Sequence, residues 1–502
     1  MSGIPQLPPL TLARSVPHDA DVLVVGIAPG QGGDVLIGVP ADLDKSVAKR
    51  FGTSLLALAR SLGATSKAGS TVVVPGPGDL RVVVVGVPGA DLTPEQARRG
   101  AGAGLRAASA ITSPDPLRVA VSFDALEAGM IRAVAEGALL GSYAYDKQSA
   151  KPYEPPIARI SVISASVKSE AKQAVATATV VAGAVAVART WVNLPASVLY
   201  PETLADRARV LAKDVRIGVD VLDESALRSK GYGGLLAVGG GSARPPRLVR
   251  YAYAPRGARF HLVLVGKGIT FDTGGLNLKP ADAMYTMKCD MAGAAAVLAA
   301  THAIAELGLK VKVTAYASLA ENMPSGTSYR PSDVLTVYGG TTVENANSDA
   351  EGRIVMADAL ARSNEDDADL VVDVATLTGA CMIALGQRTA GLMASDDQTA
   401  DLVLDAAEAA GELFWQLPIP EEIADGLKSQ VADLRSSSTK RYGGALTAAA
   451  FLREFVTDDR PWAHLDIAGP AFNDGEAYDY VQGGGTGFAV RTLVALAASL
   501  AG

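Results

Sequence analysis

Histidine is scarce in this chain: four residues among 502, at positions 18, 261, 302 and 464. A metal centre away from those four positions must be built from oxygen, sulfur or amine donors. Cysteine is scarcer still. Cys289 and Cys381 make no disulfide framework for a chain this long, and a reducing compartment is the simpler expectation. Basic charge is in deficit. The 45 Lys and Arg against 53 Asp and Glu leave a formal net charge of −8, the opposite of the surface that general nucleic-acid binding requires. Long apolar runs are missing as well. The most apolar stretch, residues 174–188, lies between Lys172 and Arg189 and is mostly Ala and Val. A membrane span needs about 20 strongly apolar residues, so this stretch reads as a buried helix and no membrane partner is expected. Residues 1–20 hold several prolines, no basic start and no long apolar core, which predicts no signal peptide.

Apolar residues, 49% of the total, are plentiful, and 502 residues are comfortable for two domains. In the first part, β-branched runs at 22–27, 35–39, 71–74, 81–87 and 117–123 read as strands, and 93–108 and 131–140 as helices. This is a small α/β domain over 1–165, with a proline-rich boundary at 151–156 and no concentrated chemistry. A long Ala/Val-rich helix near 169–192 leads into a larger domain, 166–502. There, strands predicted at 215–221, 248–252, 260–265, 312–317, 370–374 and 463–467 alternate with helices at 201–214, 293–307, 353–363, 397–410 and 447–456. The pattern predicts an α/β fold with a mixed, mostly parallel sheet flanked by helices, in which ligands sit at the carboxyl ends of strands.

Chemistry concentrates in two clusters of that larger domain. Asn345-Ala346-Asn347-Ser348-Asp349-Ala350-Glu351-Gly352-Arg353 sets two carboxylates two residues apart at a loop-to-helix junction, with a permanent guanidinium beside them. Val265-Gly266-Lys267-Gly268-Ile269-Thr270-Phe271-Asp272-Thr273-Gly274-Gly275, continuing through Lys279 to Lys288-Cys289-Asp290-Met291, adds two more carboxylates and two lysines. Convergent carboxylates repel unless a cation lies between them. Asp272, Asp290, Asp349 and Glu351 would therefore suit two divalent ions, held through carboxylate oxygens and a lysine amine. Cys289 reads better as a small packed side chain than as a soft ligand in such oxygen-rich company. His464 and Asp466 alternate along one strand face, and structural roles are expected for both.

These residues closely resemble the two-metal leucine aminopeptidases of the cytosolic type. The resemblance rests on residues 265–275, Met287-Lys288-Cys289-Asp290-Met291 and Asn347-Ser348-Asp349-Ala350-Glu351-Gly352-Arg353, and it extends through roughly 190–500. Ser348 stands where that family usually has Thr, which keeps the hydroxyl.

The resemblance implies a leucyl aminopeptidase with two divalent ions per subunit, Mn²⁺ or Zn²⁺. Asp272 and Glu351 would bridge them, Lys267 and Asp290 would complete one shell, and Asp349 the other. A water shared by the ions would attack the peptide carbonyl. Lys279 would polarise that carbonyl, and Arg353 would hold a bicarbonate that shuttles the proton. Met287, Thr376, Gly379, Ala468 and Ala471 would line the pocket for the first side chain, and the Leu377 carbonyl would add a hydrogen bond. The resemblance further implies short peptides with a free N-terminus as substrates, a homohexamer and a cytoplasmic location. A two-metal phosphohydrolase is the enzyme alternative, lacking its usual histidines here. A DNA-binding or architectural role is the non-enzyme one, which the net charge disfavours.

Overall fold

In the computed structural model, residues 5–501 are described except Pro152, Thr439 and Arg441; residues 1–4 and Pro152 of the proline-rich boundary thus lie outside the described residues. The chain forms two compact units, one of residues 5–186 with 475–483, the other of 187–474 with 484–502. The division falls inside a helix rather than at 165/166.

The first unit follows the alternating reading. Its strands are β1 (Leu10–Ala13), β2 (Val22–Ala28), β3 (Val35–Ile37), β4 (Thr71–Pro75), β5 (Arg81–Gly86), β6 (Leu117–Ser122) and β7 (Ile157–Ile163), ordered β1-β7-β6-β2-β5-β4 with β3 on β2. The Val/Ile/Leu run of β2 is fully buried, as expected of a central strand covered on both faces. Helices α1 (Ala41–Phe51), α2 (Leu55–Ser61), α3 (Pro94–Ser109) and α4 (Ala128–Ser142) cover this sheet. Thr93 and Gln96 close a capping box at the start of α3. The segment Gly475–Gly483 is built into this unit: the Tyr480 hydroxyl donates to Glu95 on α3, and Gln482 donates to the Gly141 and Tyr143 carbonyls at the end of α4.

Helix α5 (Ser169–Asn193) is long and apolar enough to cross a membrane by length and composition, yet 61% of its most apolar window is buried, as in a core helix.

The second unit continues with α6 (Pro201–Leu211), β8 (Gly218–Leu222), α7 (Glu224–Lys230), α8 (Gly233–Gly239), β9 (Arg247–Tyr253), β10 (His261–Asp272), α9 (Ala281–Met284), α10 (Ala292–Glu306) and β11 (Lys312–Asn322). A short hairpin, β12 (Val334–Thr336) and β13 (Thr342–Glu344), precedes α11 (Glu351–Ser363), β14 (Leu370–Ala375), α12 (Gly379–Leu385), β15 (Ala390–Ala394), α13 (Asp397–Ala410), β16 (Phe414–Gln416), β17 (Leu434–Arg435) and β18 (Trp462–Asp466). The main sheet runs β16-β15-β18-β14-β10-β11-β9-β8. Its centre, β18-β14-β10-β11, is parallel, and antiparallel pairs lie outside it. The mixed, mostly parallel sheet is thus present. From β10 the chain moves to β11 on one side, then returns to β14 on the other. That reversal opens a crevice at the carboxyl end of β10.

Two strands are longer than their composition predicts. β10 continues from 265 to Asp272 and β11 from 317 to Asn322. Glycines 266 and 268 lie inside the added part of β10, where they mark close packing. A Cβ on Gly266 would fall 2.6 Å from the Ala294 Cα of α10, and one on Gly268 would fall 2.4 Å from Leu319.

Helix α11 is fastened at its middle. Asp358, fully buried, accepts the Leu235 N–H of α8 at 2.7 Å and the Tyr338 N–H beyond β12 at 2.8 Å. Asp358→Ala would leave the buried Leu235 N–H and the half-buried Tyr338 N–H unmatched, at up to about 1–3 kcal/mol each. Urea unfolding is expected to show a stability loss of up to about 2–6 kcal/mol on that basis; an unchanged midpoint would show that these bonds carry no net stabilisation.

Candidate metal centre

Lys267 and Asp272 lie five residues apart on one strand, and strict alternation would send them to opposite faces. They share a face because β10 carries a bulge. Against β11, Ile269 pairs with Ala320 and Phe271 with Glu321, so Thr270 is the extra residue. Lys267 consequently sits beside Ser318 and Asp272 beside Asn322, four apart on the regular partner strand. Bulges re-aim side chains in this way.

Beyond β10 the chain turns at Gly274 and Gly275, with φ of 85° and 62°, a region that favours glycine. A Cβ on Gly274 would also lie 2.4 Å from the Asn277 carbonyl oxygen and 2.8 Å from Asp349 Oδ1. Ser348 fixes this turn to the second cluster. Its hydroxyl donates to the Gly274 carbonyl at 2.7 Å and accepts from the Asn277 N–H at 2.8 Å. Its carbonyl accepts from Asn322 Nδ2 at 3.0 Å and the Tyr329 hydroxyl at 2.7 Å. The retained hydroxyl is therefore the working part of that residue.

Helix α11 starts at Glu351, two residues before the predicted start, so Glu351 and Arg353 both stand in its first turn. A carboxylate there is favoured by the helix dipole.

Two lysines and four carboxylates converge on this point. Lys267 Nζ lies 2.8 Å from both Asp290 Oδ2 and Glu351 Oε1, and donates to the Thr376 carbonyl at 3.1 Å. Lys279 Nζ lies 2.9 Å from Asp272 Oδ2 and 2.6 Å from Asp349 Oδ1. Ligand oxygens of Asp272, Asp290 and Glu351 all fall within 4.8 Å of one another, and all three residues are buried. Asp349 is the most exposed of the four carboxylates and joins through Lys279. Asn322 Nδ2 and the Gly274 N–H both donate to Asp272 Oδ1 at 2.8 Å, and the Thr376 hydroxyl donates to Asp290 Oδ1 at 2.8 Å.

Electrostatics reflects the crowding. Burial and the nearby Glu351 push the Asp272 carboxyl up to about 6, and burial pushes Asp290 well above the carboxylate range. Burial acts against the Glu351 charge too, but Lys267 and Lys279 outweigh it and hold that group low. For Lys267, burial disfavours the ammonium, while Asp290, Glu351 and Asp272 more than offset it and raise its pKa. Lys279 is raised against burial in the same way by Asp272 and Glu351. Arg353 is drawn down to about 10 by burial, with Glu351 and Asp466 opposing. One of its terminal nitrogens donates to the Ser436 carbonyl at 2.9 Å, while its buried Nε has no hydrogen-bond partner among the described residues.

The residues fit a divalent cation. Two lysines face four carboxylates, and Glu351 Oε2 is buried with no hydrogen-bond partner among the described residues. A hard, oxygen-rich donor set with an orphaned carboxylate oxygen suits such ions.

The expected pocket residues fall on three segments. Thr376 touches it directly. Met287 opens the turn into Asp290, whose N–H donates to the Met287 carbonyl at 3.3 Å. Leu377 and Gly379 follow β14, and Ala468 and Ala471 follow the adjacent β18. Cys289 is buried, and burial together with Asp290 pushes its thiol up to about 12, as befits a packed side chain. His464 Nδ1 lies 2.5 Å from Asp373 Oδ1 of β14, not paired to Asp466 along its own strand, and Trp462 Nε1 donates to Asp373 Oδ2 at 2.8 Å. Sequence reading missed Asn322, Asn277 and Ser436, and it gave Asp466 only a structural role on the strand. For Asn322 the signal was its place at the carboxyl end of a central strand, hidden by reading β11 as too short.

Asn322→Ala is expected to weaken Mn²⁺ binding about 10–100-fold, as losses of supporting hydrogen bonds do. Titration calorimetry on the folded variant measures this, and wild-type affinity would mean Asp272 needs no such support.

Residues 186–494 match the catalytic domain of the cytosol aminopeptidase family, and residues 35–152 match that family's N-terminal domain. A probable cytosol aminopeptidase of Cutibacterium acnes is 53% identical over 496 residues, covering 99% of this chain and 97% of its own. Another, of Rhodococcus jostii, is 45% identical over 505 residues, covering 98% and 97%. Among solved structures, a bottromycin maturation enzyme in complex with Mn superposes with a TM-score of 0.83 at 40% identity, covering 96% of this chain and 100% of that one. A mutant tomato leucine aminopeptidase gives 0.86 at 30% identity, covering 98% and 96%.

Proposed function

The chain belongs to the cytosol aminopeptidase family and is a metal-dependent hydrolase of N-terminal peptide residues; on that premise we propose that it uses two divalent ions per subunit, Mn²⁺ or Zn²⁺, to release leucine or another apolar residue. The observation that carries this reading is the buried trio Asp272, Asp290 and Glu351, crowded within 4.8 Å, with one Glu351 oxygen lacking a hydrogen-bond partner among the described residues. Asp272, Asp290, Asp349 and Glu351 would hold the ions through carboxylate oxygens, and Lys267 would join them only as the neutral amine, its proton displaced by the incoming positive charge. When bound, such ions activate water at neutral pH and polarise a carbonyl.

The other roles fall to the chain itself. Burial acts against the Lys279 ammonium, but Asp272 and Glu351 outweigh it and favour the charged form. Lys279 thus offers a fixed positive charge to an oxygen that turns negative as the peptide carbonyl is attacked. Arg353 supports an anion-holding role, with bicarbonate as the anion, through its unmatched buried Nε. Met287, Thr376, Leu377, Gly379, Ala468 and Ala471 give the first side chain small, mostly apolar surroundings. A charged side chain buried there without a partner would lose about 1–3 kcal/mol or more. The homohexamer, the cytoplasmic location and the preference for short peptides rest on the family resemblance, and the net charge of −8 supports a reading without nucleic acid.

Leucine anilide hydrolysis should vanish on chelation and return with added Mn²⁺ or Zn²⁺. Glu351→Ala should stay at least about 100-fold below wild type, beyond the loss from a merely supporting residue. Metal analysis should find two ions per wild-type chain. A folded, metal-loaded wild type that releases nothing from the anilide or from several unblocked dipeptides would sink the substrate assignment.

A further inference from the structure

Asp466 ends β18 and is fully buried. Its Oδ1 accepts three backbone N–H groups: Leu377 at 3.2 Å, Thr378 at 3.4 Å and Ala468 at 3.2 Å. Its Oδ2 accepts the Thr378 hydroxyl at 2.6 Å. Two of those donors follow β14, and the third follows β18. The strands pair in parallel up to Ala375 and Asp466, and one more bond, Ile467 N–H to the Ala375 carbonyl, closes the ladder. Past that point this one carboxylate joins the two diverging loops.

We propose that Asp466 is a positioning residue: it sets the spacing of the 376–379 and 468–471 loops and thereby the size of first side chain the enzyme accepts. This rests on reading those loops as the walls of the side-chain pocket. Three features carry it. The contact is polar and buried, so moving either loop would leave amide donors unmatched. Thr378 also accepts the Cys381 N–H at 3.0 Å as the cap of α12, so the same hydroxyl fixes the helix start and the loop. Thr376, two residues earlier, bonds both Lys267 and Asp290, so that end of the loop is already held. The freedom that Asp466 removes is therefore in Leu377–Gly379 and Ala468–Ala471, not in the carboxylate cluster. No ion pair holds Asp466 among the described residues, and the groups it acts on through space are Arg353, His464 and Cys381. A charge role is thus the rival explanation, and an amide substitution separates the two. Asparagine keeps an oxygen for the three N–H groups and can donate to the Thr378 hydroxyl, but it carries no charge.

The test measures kcat and KM of metal-loaded wild type, Asp466→Ala, Asp466→Asn and Thr378→Val on alanine, leucine and phenylalanine anilides. Asp466→Ala should shift the leucine-to-phenylalanine ratio of kcat/KM by about 10-fold, the scale of pocket-size discrimination, chiefly through KM. Asp466→Asn should restore the wild-type ratio. Thr378→Val should shift it in the same direction as alanine but less, and it decides the matter if Asp466→Ala does not fold. A wild-type ratio in folded Asp466→Ala, or in Thr378→Val when only that variant folds, would overturn the proposal. An asparagine variant as altered as the alanine one would overturn it in favour of charge. A metal-loaded wild type inactive on all three anilides would instead remove the functional reading on which the proposal stands.

Discussion

Lys267 carries its ammonium between Asp290 and Glu351 where water barely reaches, and the elements around it are arranged to make that pairing possible. Alone, the three buried carboxylates would repel and take up protons. The two lysines offset part of that repulsion, and the orphaned Glu351 oxygen marks what they leave uncompensated. The centre is thus arranged for more positive charge than the polypeptide supplies. A divalent cation meets that demand without reorganising the backbone.

Geometry follows from this electrostatic requirement. The bulge at Thr270 turns Asp272 to the face of Lys267. Glycines 266 and 268 let α10 approach β10 closely enough for Asp290 to reach the same point. Gly352, one residue into α11, leaves room for the lysine stem: a Cβ there would sit 2.6–2.7 Å from the Lys267 side chain. Ser348 and Asn322 then lock the Gly274–Lys279 turn against the second cluster. Each device is local, yet each acts on the same few cubic ångströms.

Much of this was legible in the sequence, and for identifiable reasons. Charged residues set among glycine and apolar neighbours, as at Lys267, Asp272 and Glu351, mark buried polar chemistry, and the two lysines and four carboxylates do meet in ion pairs. Alternating β-branched runs located most central strands. What escaped reading was long-range. Strand ends at 272 and 322 depend on a neighbouring strand to complete their hydrogen bonds, and the close packing at Gly266 shows only once the facing helix is known. The bulge cannot be seen in one strand alone, because it is a mismatch between two. The alternation of His464 and Asp466 does not reveal what Asp466 joins, since two of its three amide donors come from a loop about ninety residues earlier in the chain. The domain division inside α5 likewise has no compositional mark.

Segment Gly475–Gly483 has a consequence for biogenesis. The first unit draws on residues near the far end of the chain, with Tyr480 bonded to Glu95 and Gln482 bonded to the end of α4. Domains ordinarily fold in the order they leave the ribosome. Here the amino-terminal unit cannot reach its final packing until the chain has been translated through residue 483, after all of 187–474. A nascent chain stalled before 475 would therefore expose an unfinished α3–α4 surface to chaperones, and the unit that emerges first is the one completed late.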